Sequence, residues 1–74
     1  MNAATSSGRV RNRIRELRLA AGLSQQQLAE RVEATRQTIN AIEQEKYSPS
    51  LELAFRIAEA FQVGFEEVFR YRSR

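Results

Sequence analysis

Twenty residues, from Gln25 to Gln44, carry small and apolar side chains at spacings that few folds can accommodate. When two short helices cross steeply through a tight turn, the position nearest the crossing must be small and the positions facing the core must be apolar. Ala29 fills the small position, and the core positions hold Leu28, Val32, Ala34, Ile39 and Ile42. Glu33 stands where such turns usually have glycine, at a cost of about 1 kcal/mol. The pattern predicts a helix-turn-helix motif.

Apolar stripes at helical spacing and capping residues predict three further helices. Ser24 and Gln27 form a capping box before helix 2, Thr35 caps helix 3, and Ser50 caps helix 4. The buried stripe of helix 4 is predicted to contain Leu51, Ala54, Ile57, Ala58 and Phe61. Helix 1 covers about residues 11–21, helix 2 residues 25–32, helix 3 residues 36–44 and helix 5 residues 65–69. The fold class is therefore all-α, a compact five-helix bundle.

Composition excludes several classes of function. The 74 residues suffice for one domain and include no cysteine and no histidine. Disulfides and the usual zinc sites are thereby excluded, and the commonest acid/base and thiol nucleophile are absent. The three glycines lie too far apart for a phosphate-binding loop. We therefore expect no enzyme, no metal and no cofactor, and the absence of an effector domain argues against a small-molecule inducer.

The charge distribution favours a polyanionic partner. Residues 1–36 carry seven basic and three acidic side chains, whereas residues 37–74 carry five and six. A basic face on a small domain is typical of nucleic-acid binding, although a solvated surface is the alternative. No apolar run could span a membrane and no secretory signal is visible, so a cytoplasmic location is expected. Residues 1–9 are predicted to be disordered, residues 10–70 to form the domain, and residues 71–74 to be a short basic tail. The alternation in residues 70–74 is compatible with disorder or with a short strand.

The outer face of helix 3 has the chemistry of a base-reading surface. Arginine can donate two hydrogen bonds to guanine, glutamine and asparagine can pair with adenine, and threonine can contact a thymine methyl. An ordinary polar helix surface is the alternative, but these side chains cluster on one face directly after the turn. The outward residues are Arg36, Gln37, Thr38, Asn40 and Ala41.

Residues 12–69 resemble the Xre family of Cro/cI-type helix-turn-helix domains, and in particular its short cytolysin-operon-repressor-like subgroup. The matching segments are IRELRLAAGLSQQQLAERV, TRQTINAIEQ, KYSPSLELAFRIAEAF and FEEVF. The resemblance implies double-stranded operator DNA as the ligand and a homodimer as the binding form. In the short subgroup it also implies a small antiparallel ribbon, here from residues 10–12 and 69–71.

The same resemblance implies roles for individual residues. Arg36, Gln37 and Ala41 occupy base-reading positions, with Thr38 and Asn40 next to them. Arg18 and Glu43 match a buried ion pair that joins helix 1 to helix 3. The phosphate-binding set comprises Gln25, Thr35, Lys46, Tyr47 and Ser48. Three departures from the family pattern are Ala41 in place of a long polar reader, and Glu45 and Gln62 in place of common glycines.

An excess of aromatic and apolar residues near helix 5 predicts the dimer interface. One helical turn cannot bury Phe65, Val68, Phe69 and Tyr71 against a small core, and Phe55 could extend the cluster. The alternative is that these side chains close the end of the bundle. The sequence therefore predicts a homodimeric, sequence-specific DNA-binding regulator, most simply a repressor on an inverted repeat. The competing hypothesis is an antitoxin-like or other protein-interaction module on the same fold.

Overall fold

The computed structural model describes residues 8–73, where five helices are flanked by two strands. The elements in chain order are β1 (Gly8–Asn12), α1 (Ile14–Ala20), α2 (Gln25–Val32), α3 (Arg36–Glu43), α4 (Leu51–Phe61), α5 (Phe65–Val68) and β2 (Phe69–Ser73). The two strands pair antiparallel and form a two-stranded sheet, hereafter the ribbon. The predicted helical bundle with a helix-turn-helix and a short antiparallel ribbon is confirmed.

Side-chain caps determine where the central helices begin. Ser24 Oγ accepts a hydrogen bond from the Gln27 N–H at 3.0 Å, and the Gln27 side chain accepts one from the Ser24 N–H at 2.8 Å. The predicted capping box is therefore present. Ser50 caps α4 in the same sense, by accepting from the Leu53 N–H at 3.1 Å. Each cap stabilises its helix by about 1 kcal/mol and fixes the direction in which the chain enters it.

The core lies between the inward faces of the five helices and the start of β2. Burial of each large aliphatic side chain contributes about 1.5–3 kcal/mol, which makes this cluster the main source of stability. Of the six motif positions, five are buried and Ala34 is half-buried against the cluster. The buried residues are Ile14, Leu28, Ala29, Val32, Ile39, Ile42, Ala54, Ile57, Ala58, Val68 and Phe69.

The ribbon is longer than the sequence predicts, and this shortens α1. The strands extend to Gly8 and to Ser73, so α1 begins at Ile14 rather than near residue 11. Arg13 follows the ribbon, and its N–H donates to the Val68 carbonyl at 2.9 Å. Tyr71 to Ser73 therefore lie in β2, within the segment that the sequence assigned to the tail. Disorder was predicted for residues 1–9. Residues 1–7 lie outside the described residues, whereas residues 8 and 9 lie in β1.

Three helices end at a non-glycine residue in the left-handed conformation. Gly22, after α1, has a φ of 72°. Glu33 after α2, Glu45 after α3 and Gln62 after α4 have φ of 61°, 61° and 59°. These are the positions where the sequence departs from the glycines typical of the family. The backbone therefore keeps the turn geometry despite the steric cost of a Cβ atom.

One prediction for α4 is wrong. Leu51, expected in the buried stripe, is 69% exposed, because it is the first residue of the helix. Ala54, Ile57 and Ala58 are buried as predicted, and Phe61 is half-buried. Among residues 8–73, no helix is both long enough and apolar enough to cross a membrane.

Candidate nucleic-acid interface

The start of α3 is held by its own cap. Thr35 Oγ1 accepts a hydrogen bond from the Thr38 N–H at 3.1 Å, and the two hydroxyl oxygens lie 3.0 Å apart. The hydroxyls of both threonines are thus engaged with each other at the mouth of the turn. Ile39 and Ile42 are buried on the opposite side of the helix, which fixes the rotation of α3 about its axis. The side chains predicted to read bases must therefore point away from the core.

The predicted base-reading residues share one outer surface of α3. Arg36, Gln37 and Asn40 are exposed, and Thr38 and Ala41 are half-buried beside them. The helix has eight residues and is thus about 12 Å long, close to the width of the major groove of B-DNA. The arrangement presents one cationic and two amide side chains on a helix that a major groove can accommodate.

Arg18 and Glu43 form an ion pair that ties α1 to α3. Arg18 Nε lies 2.8 Å from Glu43 Oε2, Nη2 lies 3.2 Å from Oε1, and Nη1 donates to the Leu23 carbonyl at 2.9 Å. The two side chains are only 9% and 5% exposed. The structure thus brings together the two residues that the family resemblance pairs, in a bidentate geometry that resists rotation.

Gln25 extends this ion pair to the exposed face of α3. Its Nε2 donates to Asn40 Oδ1 at 3.1 Å and to Glu43 Oε1 at 3.2 Å. Gln44 Nε2 donates to the same Asn40 Oδ1 at 3.1 Å. The Gln25 side chain, expected at a phosphate, is thus engaged within the protein. The Asn40 carbonyl oxygen already accepts two hydrogen bonds, which leaves its amide nitrogen to act as a donor toward a ligand.

The predicted phosphate-binding segment after α3 is exposed. Lys46, Tyr47 and Ser48 all lie on the surface, next to the C-terminal end of the helix. The Lys46 N–H donates to the Ala41 carbonyl at 3.0 Å, so the segment begins in a fixed position relative to α3. Glu45 precedes it, but its carboxylate is turned toward Arg11 Nε at 2.9 Å and is only 18% exposed. The acid therefore faces the ribbon and not the exposed segment.

The structure corrects the predicted dimer cluster. Val68 and Phe69 are 1% and 4% exposed within the chain itself, because β2 returns across the bundle and carries Phe69 inward. Phe65 is half-buried and Tyr71 is exposed. The alternative that these aromatics close the end of the bundle therefore holds for Phe69. The exposed apolar side chains of this region are instead Tyr71 with Leu51 and Phe55.

The basic character of the ribbon was not predicted from the sequence. Arg9 and Arg11 alternate along β1 as Arg70 and Arg72 do along β2, but only the pairing register places all four together. The alternation itself was a visible signal of strands. Arg13, just after the ribbon, donates hydrogen bonds to Glu16 at 3.2 Å and holds the pKa of that carboxyl below its ordinary value. This exposed pair lies at the start of α1, outside the α3 surface.

The fold is that of a helix-turn-helix DNA-binding domain of the transcription-regulator class. Residues 14–68 match the helix-turn-helix family HTH_3, and the chain belongs to this Xre-like family. The resemblance noted from the sequence is therefore confirmed.

Similar proteins include regulators from distant organisms. The chain is 48% identical over 60 residues to the uncharacterized HTH-type transcriptional regulator YgzD of Bacillus subtilis, covering 81% of this chain and 91% of that protein. The restriction-modification controller protein C.AhdI from Aeromonas hydrophila is 33% identical with a TM-score of 0.70, over 73% of this chain and 82% of that one. The transcriptional regulator VanUg, 17% identical with a TM-score of 0.78, shares the fold over 100% of this chain and 99% of its own.

Proposed function

We propose that the chain is a sequence-specific regulator that binds duplex operator DNA with α3 in the major groove. The observation that carries this proposal is the outer face of α3, where Arg36, Gln37 and Asn40 are exposed side by side on a helix anchored from behind. An anchored helix cannot rotate to avoid a mismatched base pair. Its side chains therefore gain or lose hydrogen bonds according to the base pair that they face.

The side chains divide into readers and positioning groups. Arg36 and Gln37 contact base edges, Thr38 and Ala41 lie against the groove wall, and Asn40 donates from its amide nitrogen because its oxygen is occupied. Lys46, Tyr47, Ser48 and Thr35 contact the phosphate backbone on either side. Gln25 contributes its backbone N–H at the start of α2, while its side chain orients Asn40. The mechanism is binding without catalysis or a cofactor.

The proposal includes a homodimer on an inverted repeat, acting most simply as a repressor. One short helix reads too few base pairs for useful specificity, whereas a two-fold pair reads two half-sites about 34 Å apart. Support comes from an apolar surface formed by Leu51, Phe55, Phe65 and Tyr71, of which three are more than half exposed. Phe55 and Phe65 already stack at a centroid distance of 5.0 Å. We assign the interface to this surface in place of Val68 and Phe69.

A protein-interaction module is the second candidate, and the same surface favours it. A groove of about 300 Å³ runs between Val10, Pro49, Leu51 and Tyr71, and its lining is mostly apolar. Such a groove fits a partner side chain as well as a second copy of the chain. The two candidate functions differ in one measurable property: the regulator binds duplex DNA and prefers particular sequences, and the interaction module does not.

Selection of bound sequences from a random duplex pool, followed by titration, tests the main proposal. Gln37→Ala is expected to weaken binding to the selected duplex by about 1–3 kcal/mol, or roughly 5- to 150-fold, while binding to random duplex hardly changes. Lys46→Ala is the matched comparison and should weaken both duplexes alike, because a phosphate contact carries no sequence information. Equal losses on both duplexes for Gln37→Ala would mean that α3 does not read the groove. No duplex binding at low salt would favour the interaction module.

A further inference from the structure

The pairing register of the ribbon gathers four arginines on one face. Arg9 lies opposite Arg72 and Arg11 opposite Arg70, and directly opposed residues in antiparallel strands share a face. All four are exposed. The other face carries Phe69, which is buried, so the four arginines must point away from the core. We call this surface the arginine face.

Protein groups neutralise the arginine face only in part. Glu45 lies 2.9 Å from Arg11 and 4.0 Å from Arg9. Among residues 8–73, no carboxylate lies within 4.0 Å of Arg70 or Arg72. Four guanidinium groups and one carboxylate give a local charge of +3, as large as the formal net charge of the whole chain. Like charges opposed across two strands destabilise a ribbon, so an anion bound at this face would relieve the repulsion.

The arginine face adjoins the end of α3. Asn12 Nδ2 donates to the Ile42 carbonyl at 2.8 Å, which joins β1 to the last turn of α3. Glu45, which contacts the face, is followed directly by the exposed Lys46. With the start of α3 at the base edges of a major groove, the end of α3 would lie toward the phosphate backbone that borders the groove. In that placement the four arginines would lie beside the same phosphate backbone, because the ribbon is joined to the end of α3.

We propose that the arginine face is a second phosphate-binding surface, which contacts the backbone of the same duplex next to the groove occupied by α3. This inference rests on the proposed function. Arg70 and Arg72 are the principal contacts, because Glu45 engages the β1 arginines. The surface contributes affinity and not sequence choice, since guanidinium contacts to phosphate carry no base information.

The salt dependence of binding by the full chain tests this surface. Each phosphate contact contributes about 0.9 to the slope of log K against log salt. R70Q/R72Q is therefore expected to flatten the slope by about 1.8 per bound protomer, so that affinity falls about twelvefold less between 50 and 200 mM salt. The change should be the same on a selected duplex and a random duplex. R70K/R72K should keep the wild-type slope, because lysine also neutralises phosphate.

Two controls distinguish a phosphate contact at the arginine face from a general loss of positive charge or of folding stability. R31Q/R56Q removes the same charge from the groove around Arg31, Glu33, Arg56 and Glu59, which contains no residue of α3, and should keep the wild-type slope. R70Q/R72Q should melt at the wild-type temperature or above, because it relieves opposed like charges. If R70Q/R72Q keeps the wild-type slope, or if R31Q/R56Q flattens the slope equally, the inference about the arginine face is wrong. The proposed function is not affected by either result. Failure of the wild-type chain to bind duplex overturns the proposed function as well.

Discussion

Replacement of Arg18 by alanine removes the cation from the most buried ion pair among residues 8–73. Three guanidinium nitrogens are engaged at 2.8–3.2 Å, two of them with Glu43 and one with the Leu23 carbonyl. The Glu43 side chain is only 5% exposed, so water cannot replace the lost partner without local opening. Gln25 Nε2 remains within 3.2 Å of Glu43, but a neutral amide does not offset a full negative charge.

The expected loss is a large fraction of the folding stability. Breaking a buried ion pair from one side costs about 3–5 kcal/mol. A chain of 74 residues is stable by about 4–11 kcal/mol at about 0.05–0.15 kcal/mol per residue. With a urea dependence of about 1.3 kcal/mol per molar, the unfolding midpoint of Arg18→Ala should fall by about 2–4 M. The substitution is therefore expected to remove between about a quarter and all of the folding stability.

Equilibrium unfolding in urea, followed by circular dichroism, measures this effect. Arg15→Ala, an exposed arginine on the same helix, is the matched control and should shift the free energy of unfolding by less than about 0.5 kcal/mol. The double variant Arg18→Ala/Glu43→Ala should be more stable than Arg18→Ala, because it removes the stranded carboxylate. An unchanged midpoint for Arg18→Ala, combined with weaker DNA binding, would refute the structural role and make Arg18 a phosphate ligand.

Two further predictions concern a strained turn and the dimer. Gln62→Gly should raise the free energy of unfolding by about 0.5–1 kcal/mol, or the melting temperature by about 2–8 °C, because glycine is not strained at a φ of 59°. Gln62→Ala keeps the Cβ atom and is the control. An equal gain for Gln62→Ala would show that relief of the Cβ strain is not the cause. Leu51→Asp should yield a folded monomer by sedimentation, since the residue is exposed at the start of α4, where an acid suits the helix dipole. Leu19→Asp, at a leucine of α1 that is also more than half exposed, should stay dimeric. A wild-type chain that sediments as a monomer at every concentration would contradict the proposed dimer.

Local signals in the sequence were sufficient to predict most of the fold. Ser24 with Gln27, and Ser50 before an apolar stripe, determined two helix starts that the structure reproduces. The alternation in residues 70–74 left a short strand or a disordered tail open, and only the family resemblance predicted that the two chain ends pair as a ribbon. Its full length, and hence the late start of α1 at Ile14, depends on pairing between residues more than 55 positions apart. No local pattern could specify that register.

The sequence was sufficient to predict which side chains of the candidate site are exposed, but not which hydrogen bonds they make. The exposure of Arg36 and Gln37 follows from helical periodicity, because Ile39 and Ile42 fix the inner face. The engagement of Gln25 with Asn40 does not follow, since it depends on the crossing geometry of α2 and α3. The prediction that Phe69 lies in a dimer interface is wrong, because Phe69 is buried within the chain. The number of apolar residues does not show which of them point toward the core once β2 packs on the bundle.

The left-handed backbone conformation at Glu45 is linked to the charge of the ribbon, whereas the same conformation at Gln62 is not. Both residues have φ near 60°, where glycine would be less strained. A glycine at position 45 would, however, remove the carboxylate that lies between Arg9 and Arg11. The strain at Glu45 is thus coupled to the charge balance of the ribbon, whereas Gln62 carries an uncharged side chain after α4. Since Glu45 engages the arginines of β1 and leaves those of β2 free, one strained residue determines which half of the arginine face is available to phosphate.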